Sequence, residues 1–385
     1  MAGVPLNILA DENIALVREG FGHLGTLQTV PGRQITAELL QDVDVLLVRS
    51  ITRVDATLLA GSRCRFVGTA TSGTDHVDLR WLQQQHIAFA DAHGCNAEGV
   101  VDYVLAALAL LGQRDRFDWT SLSIGIVGCG AVGSRLAQRA QALGMRVSIH
   151  DPFLDSTHSL AKYFAPLAVV LQQDIVSLHT PLTCSGPWPT FHLIDAAALE
   201  RMHPEAILVN AARGAVLDTR ALLAHMAAAP GLRVVLDAWE GEPEVDPVLL
   251  ARVDVGTPHI AGYSRLGKLR GTLLLRDALH RHLGLNPPAP LYQPQEFSLA
   301  LQAVPDESGV AMLQRCIVSV HELARDHAGM QGLLALEPAR RAAEFDRQRR
   351  DYVERPEFGQ FCISAPGLPE AESRLLEAAG FRVVP

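Results

Sequence analysis

Ser123-Ile124-Gly125-Ile126-Val127-Gly128-Cys129-Gly130-Ala131-Val132-Gly133 is an apolar run that breaks into three closely spaced glycines. After it Val132, Leu136, Ala140 and Leu143 recur at helical spacing, and a second apolar run, Val147-Ser148-Ile149-His150, ends in Asp151. A strand, a glycine turn and a helix in that order make the place where a dinucleotide pyrophosphate docks. Gly128 allows the tight turn, Gly130 lets the backbone approach the phosphates, and Gly133 lets the helix pack on the strand, with helix N–H groups facing the anion. Asp151 lies where an acidic side chain takes the ribose hydroxyls. That acid repels a 2′-phosphate, so the expected cofactor is NAD rather than NADP.

Downstream, four more apolar stretches end in polar residues: Asp174 to Leu182, Ala206 to Gly214, Arg233 to Pro243 and Val253 to Tyr263. In a doubly wound sheet these ends open onto one crevice, which brings Thr180, Arg213, Asp237, Glu242 and His259 near the cofactor. Upstream, strands at Asn7–Ala10, Val43–Val48, Arg65–Gly68 and Ile87–Ala90 alternate with amphipathic segments, the mark of another parallel α/β unit. Their ends carry Arg49-Ser50 and the loop Gly68 to His76, whose glycine and hydroxyl content suits either an anion-binding nest or an ordinary polar turn. Asn96 is placed to cap an apolar helix from about Ala97 to Leu111. Being apolar nearly all round, that helix is expected between domains or in a subunit contact.

Asn286-Pro287-Pro288-Ala289-Pro290 reads as a stiff linker. Beyond it come a helical pattern from Met312 to His327, a charged segment from Phe345 to Tyr352, and a strand-helix-strand ending from Phe361 to Val384. No catalytic constellation is visible there, and self-association is its most economical role.

The chain has 385 residues, 48% of them hydrophobic, which predicts two or three domains. A formal net charge of −9 argues against sequence-independent binding to nucleic acid or anionic membranes. The start from Met1 to Glu12 lacks a basic region and reads as a first strand, and the apolar run Val100–Leu111 is too short to span a bilayer, so a cytoplasmic protein is expected. Cys64, Cys95, Cys129, Cys184, Cys316 and Cys362 show neither paired nor metal-ligand spacing, so neither disulfides nor a metal site are expected.

Oxidising an alcohol with a nicotinamide cofactor requires a base for the hydroxyl proton. His259 is the best candidate, Glu242 is its natural orienting partner, and Arg213 offers a planar fork for the carboxylate of a 2-hydroxy acid. Taken singly, each is also readable as a surface pair, a satisfied histidine or a helix-start acid. Their position at consecutive strand ends after a dinucleotide turn favours the catalytic reading. His179 is a minor alternative as base, and His280 and His282 read as solvated helix residues.

These residues resemble the D-isomer-specific 2-hydroxyacid dehydrogenases. The likeness is carried by Gly128 to Gly133, His179-Thr180-Pro181-Leu182, Asn210 to Gly214, Asp237 to Pro243 and Pro258 to Gly262, and covers about residues 6 to 285. Val48-Arg49-Ser50, Phe66 to Thr71, Asp75 to Asp78, Gly94 to Ala97, Tyr263, and Tyr352 to Arg355 are similar to a subgroup acting on a phosphorylated acid. The resemblance implies two doubly wound parallel-sheet, Rossmann-like domains plus a small C-terminal α+β dimerisation domain. Their bounds are 1–96 with 263–285 (substrate-binding, flavodoxin-like), 97–262 (NAD-binding) and 286–385. It implies that Arg213, Glu242 and His259 are catalytic, and that Ser50, Thr71 and Tyr263 contact substrate. It also implies that Gly128, Gly130, Gly133, Asp151, Thr180, Ala211, Arg213, Asp237 and Gly262 line the NAD site. The implied partners are a small phosphorylated 2-hydroxy acid and a second copy of the chain. Lys268, Arg270 and the Arg347–Arg350 segment remain open as the phosphate's cation, and a solvated helix face explains the last at least as well. Two positions depart from the family: Pro152–Gln173 is short, and Ala212 stands where cysteine is common. A different acid substrate, such as 3-phosphoglycerate, and a non-catalytic NAD-sensing role on the same fold are the competing readings.

Overall fold

The computed structural model describes residues 5–286, 288–302, 304, 306–364 and 367–384. Pro287 of the expected linker and the first four residues of the expected first strand lie outside the described residues. The chain divides into two compact units, residues 1–96 with 264–295 and residues 97–263 with 296–385.

The first unit is a parallel five-stranded sheet of β1 (Leu6–Asp11), β2 (Gly25–Val30), β3 (Val45–Val48), β4 (Phe66–Thr69) and β5 (Ala88–Asp91), in the order β2-β1-β3-β4-β5. Central strands β3 and β4 are buried on both faces, hence their unbroken apolar sequence. Strand β2, Gly-Thr-Leu-Gln-Thr-Val, escaped the sequence reading because it is an edge strand with polar residues on alternate positions. The helix Arg265–His282, capped by the Ser264 hydroxyl, returns to this unit and buries Leu275 and Leu279 against Ile8, Leu47 and Phe66. His280 on that helix is buried, with Nδ1 at 2.7 Å from the Arg276 carbonyl and Nε2 at 3.0 Å from His23, which corrects the expectation of a solvated histidine.

The second unit carries two sheets. Strands β6 (Ser123–Val127), β7 (Arg146–His150), β8 (Ile175–Leu178), β9 (Ile207–Asn210), β10 (Arg233–Leu236) and β11 (Val255–Gly256) run parallel in the order β11-β10-β9-β8-β6-β7. The order reverses between β6 and β8, and Gly128 follows β6 at that switch point. The atypical 152–173 segment explains the short outer edge. Phe164 makes a single parallel bridge to Ile149, and the Ala165 N–H donates to the Ile149 carbonyl at 2.8 Å. Among the described residues the sheet continues outside β7 only as that one bridge.

The third sheet, β12 (Phe297–Ala300), β13 (Phe361–Ser364) and β14 (Arg382–Val384), is parallel and joins the same unit. Its helices Gly309–Val320 and Glu370–Ala379 pack on Ala97–Asp115 and Ala131–Ala142 respectively, so one apolar core runs from Val104 and Leu108 through Leu313 and Ile317 to Ile363 and Phe381. The apolar helix Ala97–Asp115 is thus covered by helices of its own chain rather than left to a subunit contact. The helical pattern expected from Met312 to His327 is broken at His321, whose extended backbone and buried ring separate Gly309–Val320 from Leu323–Gln331. Among the described residues no helix is long and apolar enough to cross a membrane, and all six cysteines are unpaired.

Asp102 is the one acid buried in the Ala97–Asp115 helix. Its Oδ2 accepts from the Phe358 N–H at 2.8 Å and its buried Oδ1 has no partner. Burial pushes this carboxyl up to about 7, against the opposing pull of the Phe358 N–H and of Arg139. The folded chain therefore keeps a proton that the unfolded chain has lost, so stability falls as pH rises from about 4 to about 7 and then levels off. Asp102→Asn keeps an acceptor for Phe358 and removes that slope. Its melting temperature should exceed the parent's by a margin that grows between about pH 5 and about pH 8, with a ceiling of about 4 kcal/mol.

Candidate active site

The three glycines of the first loop occupy three different environments. Gly128 has φ +93°, and a Cβ there would lie 2.8 Å from the His179 carbonyl oxygen. A Cβ on Gly133 would sit 1.9 Å from the Gly128 carbonyl oxygen, so the helix Ala131–Ala142 rests directly on the turn. A Cβ on Gly130 would meet nothing within 4 Å, which leaves its backbone open to a ligand. The helix starts without a side-chain cap, whereas Asp55, Asp78, Asp195, Asp218, Asp246, Ser264 and Ser308 cap other helices of the chain. Uncapped first-turn N–H groups beside an open glycine suit a pyrophosphate. Asp151 ties the turn to β7: its Oδ2 accepts from the Cys129 N–H at 2.9 Å and its Oδ1 from the Phe153 N–H at 3.1 Å. On the neighbouring strand end, Thr180 Oγ1 and His179 Nδ1 are buried without partners, unspent capacity in the loop that touches Gly128. The residues present fit NAD.

Three loops after β9, β10 and β11 are locked together by the backbone. Gly214 lies against the Trp239 peptide so closely that a Cβ would come within 2.0 Å of it, and Trp239 Nε1 donates to the Thr257 carbonyl at 2.8 Å. Asp237 is 1% exposed and acts as the clasp. Its Oδ1 accepts from Thr257 Oγ1 and the Ile260 N–H, both at 2.7 Å, and its Oδ2 from the Ala261 N–H at 2.9 Å. Burial raises the Asp237 carboxyl, while His259 and these donors oppose the rise. The His259 N–H donates to the Asp237 carbonyl at 2.9 Å. So held, His259 takes φ +56°, a left-handed conformation that costs a non-glycine residue about 1 kcal/mol or more and persists only where the surroundings impose it.

In that conformation His259 Nδ1 lies 2.5 Å from Glu242 Oε1, while Glu242 Oε2 accepts from the Trp239 N–H at 3.1 Å. Burial pushes the Glu242 carboxyl up, but the His259 charge and hydrogen bond, the Trp239 N–H and Arg349 together hold it below its ordinary value. An ionised Glu242 accepts from Nδ1–H and so leaves Nε2 as the basic nitrogen. His179 is no rival: burial pushes its imidazole down to about 3, and its Nε2 is engaged with Ser177 Oγ at 2.8 Å. Arg213 follows β9, where Asn210 Nδ2 donates to its carbonyl at 3.0 Å and its own Nη1 donates to the Ala212 carbonyl at 2.9 Å.

Thr180, Ala211, Arg213, Asp237, Glu242, His259, Gly262 and Tyr263 therefore all follow the carboxyl ends of β8 to β11 in the second unit. Ser50 and Thr71 follow β3 and β4 in the first unit. Ser50 is exposed, and Thr71 Oγ1 pairs with Thr69 Oγ1 at 2.8 Å and donates to the Gly73 carbonyl at 3.1 Å. The sequence reading counted Arg355 in the subgroup likeness but gave it no role at the site. This residue is 8% exposed and donates to the carbonyls of Gly99 at 2.9 Å, of Ile260 at 3.0 Å and of Ala261, fastening the loop just after His259. An arginine that binds backbone carbonyls leaves no pattern in the sequence. His192, Asp218 and Glu240 form the one group among the described residues with metal-ligand spacing, but they are bonded into the fold. His192 Nε2 is 2.6 Å from Glu240, and the Thr219 N–H donates to Glu240 at 3.0 Å.

Residues 112–261 match the family model for the D-isomer specific 2-hydroxyacid dehydrogenase, NAD binding domain. A relative in Serratia proteamaculans named erythronate-4-phosphate dehydrogenase is 44% identical over 98% of this chain and 99% of its own. One of the same name in Marinobacter nauticus is 43% identical over the same shares. In fold the chain is similar to an NAD+-bound 3-phosphoglycerate dehydrogenase of Entamoeba histolytica (TM-score 0.63, 19% identity, 75% of this chain and 99% of that one). It is also similar to a D-lactate dehydrogenase of Aquifex aeolicus (TM-score 0.58, 21% identity, 72% and 96%). The chain belongs to the D-isomer-specific 2-hydroxyacid dehydrogenase family and carries its NAD-binding domain. Within the family its place is among the erythronate-4-phosphate dehydrogenases, to which it is similar over nearly its whole length.

Proposed function

We propose that this chain oxidises 4-phospho-D-erythronate at C2 with NAD, giving (R)-3-hydroxy-2-oxo-4-phosphooxybutanoate for pyridoxal 5′-phosphate biosynthesis. The observation that carries the reading is the 2.5 Å pair of His259 and Glu242 on a loop that Asp237 clasps. His259 Nε2 takes the C2 hydroxyl proton, and Glu242 fixes the tautomer and favours the imidazolium that results. Arg213 binds the substrate carboxylate and orients C2–H, and Ser50, Thr71 and Tyr263 contact substrate. Gly128, Gly130, Gly133, Asp151, Thr180, Ala211, Arg213, Asp237 and Gly262 hold NAD, Asp237 by way of the loop it fixes. Bound NAD supplies the hydride acceptor.

Residues 1–96 with 263–285 serve as the substrate-binding domain, 97–262 as the NAD-binding domain and 286–385 for dimerisation in a cytoplasmic homodimer. Two features support the last assignment: β12 and β14 are open sheet edges, and Val353 is an exposed apolar side chain. The test is turnover of purified protein on 4-phospho-D-erythronate against 3-phospho-D-glycerate, with NAD and a 2-oxo acid to reoxidise bound cofactor. The four-carbon acid should be strongly preferred, and Arg213→Ala should lower kcat/KM on it by about 100-fold or more. Activity on neither acid would bring the NAD-sensing reading forward.

A further inference from the structure

We propose that Arg349, on the helix Pro338–Arg350, is the residue that reads the substrate's phosphate. The inference rests on the reading above and extends it to a side chain from the C-terminal segment. Arg349 Nε donates to Tyr263 Oη at 3.1 Å, and its guanidinium carbon lies 5.9 Å from the centre of the Tyr263 ring. Tyr263 is four residues from His259 on the same loop.

Its neighbours on the helix, Arg347 and Arg350, are paired with carboxylates. Arg347 pairs with Glu344 at 2.5 Å and Arg350 with Asp351 at 2.8 Å. Arg349 has no carboxylate bonded to it among the described residues. Glu242, whose charge it feels, has both oxygens engaged by His259 and the Trp239 N–H. Burial opposes the Arg349 charge, but Tyr263, Glu242 and Asp237 outweigh it and raise the guanidinium above its ordinary value, so a permanent cation stands beside the His259–Glu242 pair. That cation is available to an anionic ligand.

Phosphate is the anion whose chemistry fits. Arg213 is assigned to the carboxylate at C1, and the dianion two carbons beyond C2 requires a second cation. A planar fork held at Nε, with its two terminal nitrogens making no hydrogen bond among the described residues, presents the geometry that phosphate oxygens accept in pairs. Arg270, another cation open from the sequence, spends its Nε on the Cys95 carbonyl at 2.8 Å.

The test compares kcat/KM on 4-phospho-D-erythronate and on D-erythronate for the parent, Arg349→Ala and Arg349→Lys. Arg349→Ala should raise KM for the phosphorylated acid by about 10- to 100-fold and change kcat by less than about threefold. Activity on D-erythronate should fall by much less, only as far as Arg349 supports the Glu242 carboxylate, and Arg349→Lys, which keeps the charge, should recover part of the loss. An equal loss on both acids, or no loss, overturns the proposal. Inorganic phosphate gives a second readout that does not depend on turnover: it should raise the melting temperature of the parent and not that of Arg349→Ala. Equal shifts overturn the role of Arg349. A parent with no preference for the phosphorylated acid but an Arg349-dependent phosphate shift instead overturns the substrate reading alone.

Discussion

His259→Asn is expected to lower kcat by about 10³- to 10⁴-fold while NAD binds as it does to the parent. The effect is this large because no second base is available. His179 is held neutral and bonded to Ser177, and Glu242 has both oxygens spent on the loop. Asparagine tolerates the left-handed backbone at this position better than most residues, so the loop keeps its path and the loss reports chemistry. Stopped-flow hydride transfer together with NAD titration by fluorescence checks both halves. Loss of NAD binding in this variant would assign His259 to structure instead.

Gly133→Ala should weaken NAD binding by about 100-fold or more and lower stability by about 1–3 kcal/mol, because its Cβ would meet the Gly128 carbonyl at 1.9 Å and only backbone movement can relieve that contact. The Gly130→Ala variant separates the two effects. Its Cβ meets no protein atom, so its melting temperature should match the parent's while NAD affinity falls. Calorimetric titration with NAD and thermal melts of both variants make the comparison. If Gly130→Ala bound NAD normally, the pyrophosphate would not lie over this turn.

The glycine turn was legible because much of its constraint is local: the positive φ of Gly128 and the clearance of Gly133 against the Gly128 carbonyl are set within six residues, although Gly128 is also hemmed in by His179 from a distant strand end. The ends of β8 to β11 were legible for a related reason, since buried parallel strands are apolar runs whose polar termini stand out. Strand β2 was not, because an edge strand is polar on alternate residues, and the break at His321 was not, because the residues flanking it are all compatible with a helix. The apolar helix Ala97–Asp115 announced that it would be buried but not by what. Its cover, the helices Gly309–Val320 and Leu323–Gln331, comes from some two hundred residues further along.

The sequence by itself determined the α/β class and the NAD-binding unit, and singled out His259, Glu242 and Arg213 as candidates, because those readings depend on residue chemistry at strand ends. Only the tertiary structure decided how the set is held and what else joins it. Asp237 spends its carboxylate on the loop, His259 is held at positive φ, Arg355 binds backbone carbonyls, and Arg349 reaches Tyr263 from the C-terminal segment. Those are contacts between side chains and distant backbone or rings. They depend on which surfaces the packed core brings together, and no local pattern of residues encodes that.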